Sequence, residues 1–310
     1  MRIRATVAAV TGALALSALA VPAAQAAGDT PSKADFLAAA QALHRAASGN
    51  TAFTGTTAAA DEPYPLAVTF SSVKVNSGKP IVAGTSNKVT VPVTYKVTHP
   101  EDLDLNADNV WMDVYIYRGS FTDTNAPVLI GDDWPTCTAV TTTVANCKGT
   151  IDILPGEELS NADATTWKAA GYVIDWNDQD PFSDDIDITK VGYAEQDKLA
   201  TTKLQRYSKL TVNASPEPVK KGKTITVTGK LSRANWDDNK YHGYTGQPVK
   251  LQFRKKGSST YTTLKTIKTS STGTLKTTVK ASADGYFRYS FAGTSTTPAV
   301  TTAGDFVDVK

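Results

Sequence analysis

The chain has 310 residues, 41% of them hydrophobic and 20% charged, with 21 Gly, 15 Pro and 2 Cys. At roughly 100–200 residues per domain there is room for two domains, each able to bury a core without metal or several disulfides. The composition excludes a disordered chain and a disulfide-knotted one, and a three-histidine metal site would have to use His44, His99 and His242 together.

The N-terminal segment reads as processed rather than folded. Arg2 and Arg4 give a positive start, Ala5–Val21 an apolar run and Ala24-Gln25-Ala26 a small-x-small cleavage signature. Residues 1–26 are therefore expected to be a secretory signal peptide. The run is short for a membrane span, Pro22 follows it, and no later stretch reaches spanning length. The exported chain is expected outside the cell, free in the medium or retained at the cell wall. Without Arg2 and Arg4 it is formally neutral, and no nucleic-acid partner is expected. Its halves differ: residues 27–200 hold 24 acidic and 11 basic side chains, residues 201–310 hold 6 and 19. Opposite fields of this size bear on partners and association, not on fold.

Ser32, with Asp35 three residues on, caps a run in which Phe36, Leu37, Ala40, Leu43 and Ala47 recur at helical spacing until Gly49. Residues 27–62 thus read as a short helix and a flexible tether. From Pro65 the pattern is β. Leu66–Phe70, Val89–Val97 and Val110–Tyr117 alternate with period two and are rich in β-branched and aromatic residues. In the last run Val110, Met112, Val114 and Ile116 share one face, and Trp111, Asp113, Tyr115 and Tyr117 the other. Further strands fit Val128–Ile130, Thr138–Val144, Gly149–Ile153, Gly171–Trp176 and Ile186–Val191, with long loops over 99–109 and 177–185. Pro92 inside the second run predicts an edge strand or a bulge. Residues 63–205 are expected to form an acidic Ig-like β-sandwich.

Seven short strands follow over 206–310: Leu210–Ala214, Thr224–Leu231, Val249–Arg254, Thr260–Lys268, Thr274–Val279, Tyr286–Phe291 and Phe306–Val309. Gly and Pro turns separate them, and seven such strands in about 100 residues indicate an Ig-like sandwich. The predicted fold is all-β, two Ig-like β-sandwich domains in tandem behind a short N-terminal helix. Leu210–Gly229 resembles the opening of bacterial Ig-like domains of secreted actinomycete proteins. Val249–Lys256 and Asp284–Gly293 are similar to later strands of the same domains. The resemblance implies a non-catalytic sandwich; the chain departs from antibody-type domains in lacking the inter-sheet cysteines and the Trp between them.

Few residues point to chemistry. Cys137 and Cys147 in an exported chain are expected to form a structural disulfide across a hairpin. Asp175, Asn177, Asp178, Asp180, Asp184, Asp185 and Asp187 could supply the six to eight oxygens that calcium takes, and Asp104, Asn106 and Asp108 form a looser set; neither fits an EF-hand loop. No other cofactor is expected. A secreted hydrolase is the alternative class, but Gly-x-Ser-x-Gly, His-Glu-x-x-His and a Gly-rich phosphate loop are all missing. Adjacent acids such as Asp132-Asp133, Glu157-Glu158 and Asp237-Asp238 point to opposite faces of a strand rather than converging. The chain is therefore expected to bind and not to catalyse. Trp236, Tyr241 and Tyr244 read as an aromatic loop at a sandwich end, suited to carbohydrate or protein, with Trp236 capping the open end of the core as the alternative. Alternation turns Lys250, Arg254, Tyr286 and Arg288 to one outer sheet face, a candidate surface for anionic cell-wall polymer, with Lys276 and Lys280 on the opposite sheet.

Overall fold

The computed structural model describes residues 38–44, 62–123, 125–181, 183 and 185–310, so the signal-peptide and tether readings fall almost wholly outside the described residues. The first ten strands are β1 (Tyr64–Pro65), β2 (Thr69–Val75), β3 (Ile81–Ala83), β4 (Val89–Thr98), β5 (Val110–Tyr117), β6 (Val128–Leu129), β7 (Thr136–Thr141), β8 (Val144–Ile153), β9 (Thr166–Asp175) and β10 (Gly192–Arg206). They form two sheets, β1-β10-β9-β5-β6 with β3 beside β10, and β2-β4-β8-β7. Alternation builds the space between them. In β4, Val91, Val93, Tyr95 and Val97 are buried while Thr90, Pro92 and Thr94 face solvent. Met112, Val114, Ile116, Trp167 and Val173 meet them from the other sheet.

Both faces of β5 are buried, which alternation alone does not foretell. Its second face carries Trp111, Tyr115 and Tyr117, joined by Tyr172, Ile174, Trp176 and Tyr193. Helical residues 38–44 lie over this aromatic layer, with Ala40 2% and Leu43 1% exposed. The Tyr193 hydroxyl donates to Ala40 O at 3.3 Å, and His44 Nδ1 meets Glu195 Oε2 at 2.5 Å. Burial, reinforced by Glu195, pushes the Tyr115 and Tyr193 hydroxyls well above the ordinary phenol range.

Two expectations need correction here. Ile186–Val191 is not a strand: Ile188–Lys190 is a 3-10 turn capped by Asp187, and the strand that follows, β10, runs fifteen residues. Polar Glu195, Gln196, Asp197 and Lys198 and a register shift between Gln196 and Ala200 break its alternation, which hid it from the sequence. Pro92 lies in an internal strand, paired on one side with Thr150 of β8. On its other side β2 has ended at Val75, opposite Val93, so a missing N–H breaks no ladder there.

The second ten strands are β11 (Ser208–Leu210), β12 (Asn213–Ser215), β13 (Thr224–Asn235), β14 (Lys240–Gly243), β15 (Pro248–Lys255), β16 (Thr262–Lys268), β17 (Thr274–Lys280), β18 (Gly285–Phe291), β19 (Val300–Thr301) and β20 (Asp305–Val307). In one sheet β11, β12, β14 and β17 all pair with β13; in the other the order is β16-β15-β18, with β19 and β20 along β18. Ile225, Val227, Leu231, Val249, Leu251, Leu275, Phe287, Tyr289 and Phe291 fill the core. The whole is an all-β, tandem Ig-like architecture.

One residue separates β10 from β11. The N–H of Tyr207 donates to Ala83 O at 2.8 Å, and its carbonyl accepts from Ala234 N. Arg206 is buried and donates through Nε to Ala234 O at 2.6 Å; burial, together with Arg233, brings its pKa down to about 10.

Candidate binding surface

The stretch expected as a sandwich-end loop is a hairpin, β13–β14, and its aromatic residues are taken up in contacts within the chain. Trp236 is 2% exposed and packs into the core of the first sandwich, its indole N–H donating to Gly84 O at 2.7 Å. Its own N–H takes Asn161 Oδ1 at 3.1 Å. The Asn161 amide bonds Asn235 and Asp237, and Asn239 Nδ2 donates to Gly156 O at 3.1 Å. Tyr241 lies half-buried beneath Lys209 Nζ, 3.6 Å from its ring centre, and edge-on to Tyr207. Tyr244 carries the Arg233 guanidinium at 4.0 Å and packs on Phe291. The polar–aromatic composition that suggested recognition serves a joint between the two sandwiches. Sequence offers no signal for which core a tip residue will enter.

The outer face of β15 and β18 is different. Register places Arg254 opposite Tyr286 and Gln252 opposite Arg288, as alternation required, with Lys250 opposite Ser290. Arg254 stacks on Tyr286, 4.1 Å from guanidinium carbon to ring centre, and lies 5.3 Å from Tyr261. Arg288 stacks on Tyr261 at 3.6 Å. Tyr286 continues to Phe306 at 5.1 Å, over which Lys256 Nζ sits at 5.5 Å. A cation–aromatic row thus runs Arg288, Tyr261, Arg254, Tyr286, Phe306, Lys256, each contact contributing about 0.5–1 kcal/mol at a half-exposed site. Arg254 donates to Ser258 O at 2.6 Å and Arg288 to Gln252 Oε1 at 2.8 Å. These anchors fix both guanidiniums over the rings and leave their other N–H groups for carboxylate or phosphate. Lys250 is exposed beyond the row, and Lys276 and Lys280 lie on β17 of the opposite sheet. Tyr261, Lys256 and Phe306 were missed: Tyr261 was placed inside the predicted strand Thr260–Lys268, whereas β16 begins at Thr262 and leaves it outside the alternation.

The acidic loop does not assemble. Asp175 accepts from Tyr64 and Asn109, and from the N–H of Asn177 at 3.0 Å. Asn177 turns its amide to Lys190 O, and Asp178 sits at a turn with φ of 63°. Ser183 Oγ accepts from Asp185 N, and the Asp180 carbonyl from Ser183 N. Asp184 lies outside the described residues. Among the described residues no three His, Cys, Asp or Glu side chains gather as a metal would require. Cys137 and Cys147 are directly opposite each other on β7 and β8 and are disulfide-bonded, Cα to Cα 4.1 Å.

No known family model matches the chain, and no curated protein does either. Solved structures give distant likenesses of fold. The chain is similar to the Yersinia pseudotuberculosis adhesin InvE (12% identity, TM-score 0.24), covering 77% of this chain and 58% of that one. It is similar to the D00-D0 domain of intimin (14%, 0.24), covering 76% and 98%. It is also similar to three N-terminal domains of the bacteriophage RB49 outer capsid protein Hoc (13%, 0.28), covering 78% and 70%. The chain therefore spans a little over half the length of the InvE structure it matches.

Proposed function

We propose that this is an exported, non-catalytic binding protein that holds anionic cell-wall polymer on the outer β15–β18 face. The observation that carries the reading is the row of two arginines set over the rings of Tyr286 and Tyr261, within residues 201–310, which hold 19 basic and 6 acidic side chains. A merely solvated basic face keeps its cations mobile; here both are oriented, which lowers the ordering cost of pairing with carboxylate or phosphate. The disulfide supports an oxidising location, and no helix among the described residues is long and apolar enough to cross a membrane. For the non-catalytic part, the histidines are engaged in ordinary contacts. His44 meets Glu195, His242 meets Asp238 at 2.6 Å, and His99 Nδ1 lies 2.8 Å from Pro100 O.

The test uses the chain from residue 27 onward, sedimented with polyanionic wall material. Retention is expected at low salt, with release as the Debye length shortens below ~5 Å. Arg254→Glu with Arg288→Glu should weaken retention several-fold more than Lys276→Glu with Lys280→Glu. Equal loss from both pairs would reduce the effect to bulk charge, and no retention at low salt would end the proposal.

A further inference from the structure

A second site lies on the first sandwich. Four of the five tryptophans are under 10% exposed, whereas Trp134 is 41% exposed. It borders a cleft of about 200 Å³ whose other walls include Trp111, Pro135, Asn106 and Asp108. The ring of Trp111 lies 6.1 Å from that of Trp134, inclined by 34°, and is braced edge-on by Trp176 at 4.8 Å. Both sides of the cleft are pinned. The Asn106 side chain takes the N–H of Cys137 at 3.3 Å and donates to its carbonyl at 3.4 Å, while Asp104 Oδ1 accepts from Asn106 N at 2.9 Å. Cys137 is itself tied to Cys147. The walls are thus set before any ligand arrives, which lowers the ordering cost of binding.

From this cleft we infer a saccharide site that takes one pyranose unit carrying no negative charge. The volume is below the ~300–1,000 Å³ of drug-sized sites, room for a single ring. An indole face offers flat apolar area to the C–H face of a sugar, and the exposed Asp108 carboxylate accepts from its hydroxyls. Charge narrows the class. Asp108 is the charged residue among the cleft's walls and Asp104 adjoins it through Asn106, whereas Asp132 is paired with Lys88 at 2.6 Å and Lys148 lies further along, opposite Thr136. The field of Asp108 and Asp104 repels the polyanions suited to β15–β18 and leaves neutral and amine-bearing sugars.

Titration of the chain from residue 27 with chitotetraose, its deacetylated form and oligogalacturonate, read by tryptophan fluorescence and calorimetry, tests this. The first two should saturate and the third should not. Trp134→Ala is expected to weaken binding about tenfold or more, about 1.4 kcal/mol, and Trp134→Phe to retain part of it. Asp108→Asn should remove any preference for the deacetylated form. Circular dichroism matching the parent would show that Trp134→Ala still folds. No saturation by either sugar, equal binding of all three probes, or titrations unchanged in Trp134→Ala would each overturn the assignment.

Discussion

The two sandwiches present the same kind of surface, an outer sheet face rich in aromatic side chains, and treat it in opposite ways. In the first, residues 38–44 pack over part of the layer formed by Tyr115, Tyr117, Tyr172 and Tyr193, adding a third layer there. In the second, Tyr261 and Tyr286 stay uncovered because arginines lie on them. The first face, whose hydroxyls bond Glu195 and Asp197 and whose Tyr117 ring lies 5.4 Å from Lys168 Nζ, takes an apolar lid; the second, interleaved with guanidinium, stays open to solvent. The difference teaches that aromatic content alone does not mark a binding face. What stacks on the rings decides.

The boundary between the halves offers the strongest way to break this comparison. Trp236 belongs to the second half of the chain but fills the core of the first. Trp236→Ala should cost about 3–5 kcal/mol, and calorimetry should show the two sandwiches melting further apart than in the parent. A melting profile equal to the parent's would refute the joint. Next in size, Cys137→Ala with Cys147→Ala opens a short loop and should lower stability by about 3 kcal/mol in urea, through the first sandwich alone. The lid is tested by Leu43→Ala, with about 2 kcal/mol lost and faster hydrogen exchange in β5 and β9; exchange unchanged there would mean the layer holds without it.

The smallest effect concerns pH. Burial would raise the Asp152 pKa, but hydrogen bonds from Asp132 N, Thr90 and Lys88 outweigh it and hold the carboxyl below its ordinary range. The stabilisation is therefore full above the unfolded-state value of about 4 and is lost as pH falls through the lower folded-state value. Asp152→Asn should flatten the acid limb of the stability curve, and an unaltered limb would place the acid sensitivity elsewhere.

Much of this was legible from residue order. The faces of β4, β15 and β18 follow period-two alternation because each has one side in a core and one in water. The spacing of Cys137 and Cys147, with the export expected from the N-terminal segment, was enough for the disulfide. What escaped notice depended on contacts distant in sequence. β10 looked irregular because its polar middle answers to Phe70, whose N–H donates to Gln196, and to the hydroxyls of Tyr115 and Tyr117. That Trp236 caps a core was one of the two readings of its loop, but nothing local shows that the core is the first sandwich's and that Gly84 waits 152 residues away. The Asp104–Asp108 stretch was noted for its carboxylates, while its clearest role, Asn106 gripping Cys137, needed the fold to bring 31 residues together.

The single-residue passage from β10 to β11, with Tyr207 bonded on both sides, would set the avidity of the two proposed sites. A flexible linker between two binding modules samples many separations, and its effective concentration falls as it lengthens. Here the indole of Trp236 and the buried Arg206 leave almost no slack. A polymer whose anionic units are gripped on the β15–β18 face would present an uncharged unit to the Trp134 cleft at one fixed spacing. Repeat lengths that match would be held at both ends with little further loss of freedom, and lengths that do not would gain nothing from the second end. The joint would then select among polymers by period, a property that neither sandwich has by itself.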